Sequence, residues 1–330
     1  MLIKIKIEEL QNLIFKALQK KYDAEDSQLI TEVLIFAELS GITSHGVVRL
    51  FAGDTGVLSY QPKAKPQVIE RTTVSKVIDS RGNPGILAAQ VALKIALQLA
   101  GAHGVGVVGT KGAFSTSGCL AYYLEQIALR NFIGIVMAES PLFVAPFGGI
   151  EPIFGTNPLS FGIPAAGPPL IFDMATSAIT LGDIVRAKEL GEPLPENSAI
   201  DREGNPTTNP VKAYDGATLS FGNSYKSSGQ AMMVEILAGI WPGAGFGGIN
   251  KSDGWGNTLI VFSPALLSDV NEFKAKVTQL VERVRNSRTK DGNKIRIVGE
   301  AAQQKRAAAL KNGSSEIHEV LLAKLREAAA

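Results

Sequence analysis

Between Gly85 and Asp173, apolar runs of helical length alternate with short runs rich in valine and isoleucine, and this alternation confines the chain to an α/β architecture around a sheet. Gly85 to Ala100 reads as a helix on Leu87, Val91, Ile95 and Leu99, Val105 to Val108 as a strand, Leu120 to Leu129 as a helix and Ile133 to Met137 as a strand. Leu170 to Asp173 reads as a short buried strand feeding Met174 to Ser177 and a helix to about Leu190. Upstream, the texture changes at Pro62 to Pro66, after which Val68, Val74, Val77 and Ile78 read as strands. Downstream, Ala231 to Ile240 is an apolar helix and Thr258 to Phe262 a strand.

Both ends are helical. Leu10, Leu13, Ile14, Ala17 and Leu18 recur at helical spacing, a second helix runs from about Ala24 through Ala37, and Gly41 closes it. Ser268 caps a long helix, and two more, near Glu300 to Leu310 and Ser315 to Leu325, end the chain. The two ends are therefore expected to pack into one helical domain around the α/β centre. Gly191 to Ser228, rich in Pro, Gly, Asn, Asp and Ser, is a long excursion of the functional kind.

With 33 basic and 31 acidic residues in 330, the net charge is +2, and no basic block interleaved with aromatics stands out, so nucleic acid is not an expected partner. No run approaches the 18 uninterrupted apolar residues of a membrane span, and none is expected. The single cysteine, Cys119, excludes an intrachain disulfide and fits a reducing cytoplasm; with only three histidines it leaves no Cys/His metal site to expect.

One of those histidines sits in Thr43-Ser44-His45-Gly46-Val47-Val48-Arg49-Leu50. If this stretch is helical, His45 and Arg49 share a face, and a titratable imidazole beside a guanidinium fork suits an acidic substrate. The plainer reading makes Ser44 an N-cap and His45 merely exposed; these eight residues alone admit both. His103, at a helix end, and His318, on the polar side of the last helix, have structural explanations. Gly104-Val105-Gly106-Val107-Val108-Gly109 matches a dinucleotide fingerprint in letters only, because its valines are the strand that the fingerprint should follow. Lys111 follows Thr110 where a phosphate-binding loop needs the reverse order, and no G-x-S-x-G elbow exists for acyl transfer.

Several motifs occur together: the Thr43 to Leu50 segment, Ala145-Pro146-Phe147-Gly148-Gly149, Gly155-Thr156-Asn157-Pro158-Leu159, Asp173-Met174-Ala175-Thr176-Ser177, Gly204-Asn205-Pro206-Thr207-Thr208, Met233 to Gly239, and Val298-Gly299-Glu300 leading to Arg306. In these, and in their order along nearly the whole chain, the sequence resembles the type 2 malate/L-lactate dehydrogenase family. The resemblance implies a non-Rossmann α/β fold: a helical domain from residues 1–62 and 268–330, a mixed-sheet NAD(P)-binding domain from 63–108 and 174–267, and an inserted α/β domain from 109–173. It also implies a cytoplasmic homodimer with its active site near the subunit interface, and NAD(P)H as cofactor.

Members act on small 2-oxo or 2-hydroxy acids, and a related branch reduces cyclic or N-alkyl 2-imino acids. Carried over, the resemblance makes His45 the active-site histidine, with Ser44 and Asp173 orienting it in a relay, and places Arg49 at the substrate. It makes Thr156, Asn157, Pro158, Thr176, Ser177, Lys226 and Arg306 cofactor-binding residues. The chain departs from the family at Gly109 to Gly118, where dehydrogenases carry Asn-Ser-x-His and a catalytic histidine. Here Ser115 or Thr116 falls at that position, facing substrate, and a hydroxyl does not shuttle protons at neutral pH. Gly256-Asn257-Thr258 lacks a second family imidazole. The expected reaction is hydride transfer to C2 of a 2-imino or 2-oxo carboxylate. A 2-hydroxy acid dehydrogenase and a non-catalytic nucleotide-binding homologue are the alternatives.

Overall fold

In the computed structural model, which describes residues 1–60, 64–250, 254–290 and 292–330, the apolar periodicities become elements in the expected order. From the N-terminus come β1 (Leu2–Lys6), α1 (Ile7–Gln19), α2 (Ala24–Leu39), β2 (Gln67–Thr72), β3 (Ser75–Asp79), α3 (Gly85–His103), β4 (Val105–Ala113), α4 (Leu120–Ala128) and β5 (Ile133–Ala138). Then follow β6 (Leu159–Ile163), β7 (Leu170–Phe172), α5 (Leu181–Leu190), β8 (Ala199–Ile200), α6 (Pro210–Asp215), β9 (Ala217–Thr218) and α7 (Tyr225–Val234), which runs on as one π-helical turn, Glu235–Ile240. The chain closes with β10 (Trp255–Phe262), α8 (Val270–Arg285), α9 (Glu300–Asn312), β11 (Ser314–His318) and α10 (Glu319–Ala329).

Seven strands form one sheet in the order β2-β3-β4-β10-β5-β6-β7. β3 and β4 run parallel and the other pairs antiparallel, so the sheet is mixed. The inner strand β10 inserts between β4 and β5, and is the long-range element that unites the two halves of the sheet. Because β5, β6 and β7 continue this same sheet, the segment expected as an inserted 109–173 domain has no sheet of its own, and its expected start cuts through β4. The boundary expected at residue 62 lies outside the described residues.

α3 is long and apolar enough to cross a membrane, yet more than half of it is buried in the protein, where it packs along β4 and β10 as a core helix. Gly104, at φ +80°, ends it in the left-handed conformation that a side chain resists, and the chain turns directly into β4. The near-fingerprint is thus a helix stop and a strand.

The termini do meet. α1 packs on α10 and α2 on α9, and one apolar cluster runs from Ile5, Leu10 and Leu34 through Ala92 and Leu259 to Leu325. Ahead of the first helix stands β1, paired antiparallel with β11, so that Leu2 lies opposite His318. His318 is therefore the last strand residue, not a helical one. The cap of α8 is Asp269 rather than Ser268; its carboxylate accepts from the Asn271 and Glu272 N–H groups. Within 191–228, β8, β9 and α6 enclose small satellite clusters such as Ile184, Ala187, Leu194, Ala199 and Ala213.

Candidate active site

Thr43 to Leu50 is not one α-helix. Two short 3-10 turns, Thr43–His45 and Val47–Leu50, are separated by Gly46 at φ −89°, ψ −140°. His45 and Arg49 are nevertheless brought together, by a different route: Arg49 Nε donates to the Ser44 carbonyl oxygen at 2.7 Å, and Ser44 Oγ and His45 Nδ1 share a hydrogen bond of 3.0 Å. The ring is held through Nδ1, and Nε2 has no partner among the described residues.

Burial and the neighbouring Arg49 charge push the His45 pKa down to about 3, so the imidazole is neutral at pH 7. Burial also lowers the Arg49 pKa, and no carboxylate pairs with its guanidinium among the described residues. A desolvated cation without a counter-ion costs free energy that an anionic ligand can return.

Glu38, on the last turn of α2, supports this segment from beneath: its Oε2 accepts from the Val47 N–H at 3.0 Å. The sequence reading misses it, although the signal is there. Glu38 follows Leu34 by four and Ile30 by eight, on a face otherwise apolar and buried.

Ser115 is 1% exposed and donates to the Thr55 carbonyl oxygen at 2.6 Å, so it braces the loop after Arg49 instead of facing substrate. Thr116 Oγ1 accepts from the Gly118 N–H, as a turn residue does. Ser117 donates to Asn257 Oδ1, whose amide in turn donates to Thr110 Oγ1, so the position that lacks an imidazole ties the 114–118 loop to the sheet.

Asp173, just past β7, accepts from Ser160 Oγ at 2.7 Å and the Ala121 N–H at 2.8 Å, with the Cys119 thiol at 3.7 Å. These donors take up both carboxylate oxygens, and no bond joins Asp173 to Ser44 or His45 among the described residues. The expected relay is absent. Asp173 instead lines a cavity of about 340 Å³ with Arg306. There Arg306 pairs with Glu125, donates to Ser40 Oγ and stacks on the Phe36 ring, 4.1 Å from its centroid. Its guanidinium is thus held by partners within the protein at the wall of the cavity.

The remaining candidates cluster. Thr176 N–H and Oγ1 both donate to the Thr156 carbonyl oxygen, and Oγ1 is also 3.0 Å from that of Asn157. Ser177 bridges to Ser220. Asn157 stands at φ +38°, and its side-chain amide donates to the Ala231 carbonyl oxygen and to Glu235. Pro158 follows in the same loop, its carbonyl oxygen 3.4 Å from the Ala138 N–H.

Asn157 Oδ1 and Ser177 Oγ are buried without a partner, two of three such atoms among the described residues. Orphaned acceptors of this kind are rare and mark a place where a donor is due. Lys226 lies exposed in the first turn of α7, without an ion-pair partner among the described residues.

The segment 173–183 strings these parts together. It begins at the cavity, passes Thr176 and Ser177 on the Thr156–Asn157 loop, and reaches Gly182, where a Cβ would lie 3.3 Å from that of Ser44. The start of α5 is fixed there by a capping box between Thr180 and Asp183.

Comparison with known proteins identifies the family and the fold. A family model described as malate/L-lactate dehydrogenase matches residues 5–326. The L-sulfolactate dehydrogenase of Methanothermobacter thermautotrophicus is 36% identical over 80% of this chain and 79% of its own. The Delta(1)-pyrroline-2-carboxylate reductase of Pseudomonas fluorescens is 34% identical over 72% and 74%. The crystal structure of malate dehydrogenase from Entamoeba histolytica superposes with a TM-score of 0.92 over 100% of this chain and 98% of that one; at 24% identity this speaks to the fold alone.

Proposed function

Because the chain belongs to the malate/L-lactate dehydrogenase family, whose model spans residues 5–326, we propose that it is an NAD(P)H-dependent reductase acting at C2 of a small 2-imino or 2-oxo carboxylate. The observation that carries this reading is Arg49: a desolvated guanidinium bonded to the Ser44 carbonyl oxygen, with no carboxylate on it and none of the described residues bonded to the nearby Nε2 of His45. A substrate carboxylate supplies the missing anion and sets C2, one bond away, beside the imidazole.

The charge state of His45 bears on the substrate. A neutral imidazole cannot give up a second proton at pH 7, whereas reduction of a ketone requires one. A substrate carboxylate on Arg49 offsets the positive field that adds to burial in holding His45 neutral, and raises its proton affinity as the site fills. An iminium needs no such proton, because it already carries the charge that hydride neutralises. The absence of an imidazole at Thr116 and the low proton affinity of His45 therefore both favour the imino acid. The same neutral form is suited to accept a proton from a 2-hydroxy acid, the alternative reaction.

The cofactor site in this reading is the Thr156–Asn157–Pro158 loop with Thr176 and Ser177, whose two orphaned buried oxygens suit the amide and hydroxyl donors of a nicotinamide nucleotide. Lys226 offers a cation for its phosphates. Bound there, nicotinamide would supply the hydride. The chain's own residues bind the substrate carboxylate (Arg49), orient the imidazole (Ser44) and hold or release a proton at Nε2 (His45).

A homodimer, in the cytoplasm, completes the reading. It is supported by an exposed apolar stripe, Met232, Ile236 and Ile240 with Met233 and Trp241, running from α7 into the π-turn.

The test is loss of reduced-nicotinamide absorbance with NADH and with NADPH against pyruvate, oxaloacetate, pyruvate with methylamine, and piperideine- and pyrroline-2-carboxylate. Turnover of the imines above the keto acids is the expected result. Turnover of keto acids alone would place the proton on His45 and remove the imine reading, and cofactor binding without turnover of any of them would favour a non-catalytic homologue.

A further inference from the structure

The geometry points to Glu38 as the positioning residue of this site, a buried buttress whose carboxylate sets the backbone turn between His45 and Arg49. This inference rests on the reading of His45 and Arg49 as the reacting and binding groups. Three observations carry it. Glu38 is 4% exposed, yet among the described residues its side chain is hydrogen-bonded to the Val47 N–H alone, the first residue of the turn that bears Arg49. Gly46, between the two turns, lies so close that a Cβ there would fall 1.9 Å from Glu38 Oε2, so the carboxylate occupies the space a side chain would need. Finally, the charged side chain whose field reaches Glu38 is Lys305 on α9, with its aliphatic stem against Gly41. The backbone from 41 to 47 is thus held between a carboxylate below and a lysine beside it.

Burial outweighs both the Val47 bond and Lys305, and pushes the Glu38 pKa up to about 7. His45, at about 3, is already neutral across the pH range in which the buried Glu38 carboxyl titrates. Above that pH the ionised carboxylate grips Val47 N–H in a charge-assisted bond; below it the neutral acid grips less firmly. His45 is in this way coupled to a proton that it does not itself carry.

The experiment reads His45 directly and does not depend on knowing the substrate. The C2 proton of His45, one of three imidazoles and assigned by its disappearance in His45→Ala, is followed by NMR from pH 5 to 9 in the parent, Glu38→Gln and Glu38→Ala. In the parent its shift is expected to bend near pH 7. Glu38→Gln, which keeps an acceptor for Val47 but cannot ionise, is expected to lose the bend and keep turnover within a few-fold. Glu38→Ala is expected to displace the resonance at every pH and lower kcat/KM about 10²-fold, the cost of a misplacement of about 1 Å.

A His45 resonance that bends identically in Glu38→Gln overturns the proposal, as does a Glu38→Ala protein indistinguishable from the parent in both signal and turnover. Should Glu38→Ala not fold, the Glu38→Gln titration alone decides. If none of the five substrates turns over in the parent, the functional reading fails while the NMR still decides the role of Glu38.

Discussion

At the scale of residues, the chemistry of His45 is testable apart from the fold. Among the described residues its ring bonds to Ser44 alone, and it is half-buried, so His45→Ala removes one modest hydrogen bond, worth about 1 kcal/mol. Turnover should fall about 10²- to 10⁴-fold, as expected for losing a proton-transfer group. Steady-state rates beside a thermal melt check both, and a variant as active as its parent would remove His45 from the mechanism. The pairing of His45 with Arg49 is legible in the sequence because it needs only four residues of chain, even though the turns are 3-10 and not α. The relay to Asp173 is not legible, because it depends on which of several donors a carboxylate meets after folding. Ser160, Ala121 and Cys119 reach Asp173 first. Glu38 shows the converse case: a charged residue on an apolar helical face is a visible anomaly whose meaning depends on what the helix packs against.

At the scale of elements, legibility follows the source of stability. α1, α2, α3 and α4 carry their own periodicity and appear within a few residues of the expected bounds. β1 and β11 do not. Ser314–His318 is a strand only because Leu2–Lys6 lies beside it, over 300 residues away, and no local pattern encodes such a partner. The same logic governs α7 and its π-turn, whose outward apolar residues stand exposed among the described residues. Met232, Ile236 and Ile240 recur every four residues at 46, 38 and 46% exposure, with Trp241 at 57%. Apolar side chains aligned in this way fit an association surface. Ile236→Glu should place an unpaired charge at its centre and dissociate the proposed dimer, the mass by light scattering falling from about twice 34.9 kDa to that value, while a core that excludes Ile236 keeps its fold. A parent that is already monomeric at high concentration would remove the homodimer from the reading.

At the scale of the whole molecule, one core joins the terminal helices to the sheet, so the charge states of a few buried groups bear on the stability of all of it. Glu139, just past β5, accepts at its carboxylate from the Gly256 N–H alone among the described residues, at 3.4 Å; burial and the Glu235 charge push its pKa up from 4.5 to about 9. Glu38 is raised likewise to about 7, and His45 is lowered from 6.5 to about 3. Between pH 3 and 6.5 the unfolded chain protonates His45 and the folded chain does not, so this group destabilises the fold as pH falls through that window. For the two acids the folded chain holds the proton that the unfolded chain gives up above 4.5. Their stabilisation is therefore complete below 4.5 and is lost as pH rises, to about 7 for Glu38 and about 9 for Glu139. Of Glu38, His45 and Glu139, Glu139 is the one whose loss continues above pH 7, with a slope of at most about 1.4 kcal/mol per pH unit for a single group. Denaturant midpoints should thus decline from pH 7 to 9 in the parent, and Glu139→Gln, which cannot ionise beside Glu235, should flatten that decline. An alkaline slope unchanged in Glu139→Gln would mean that Glu139 is already ionised in the folded protein, with its charge compensated by neighbours other than the Gly256 N–H.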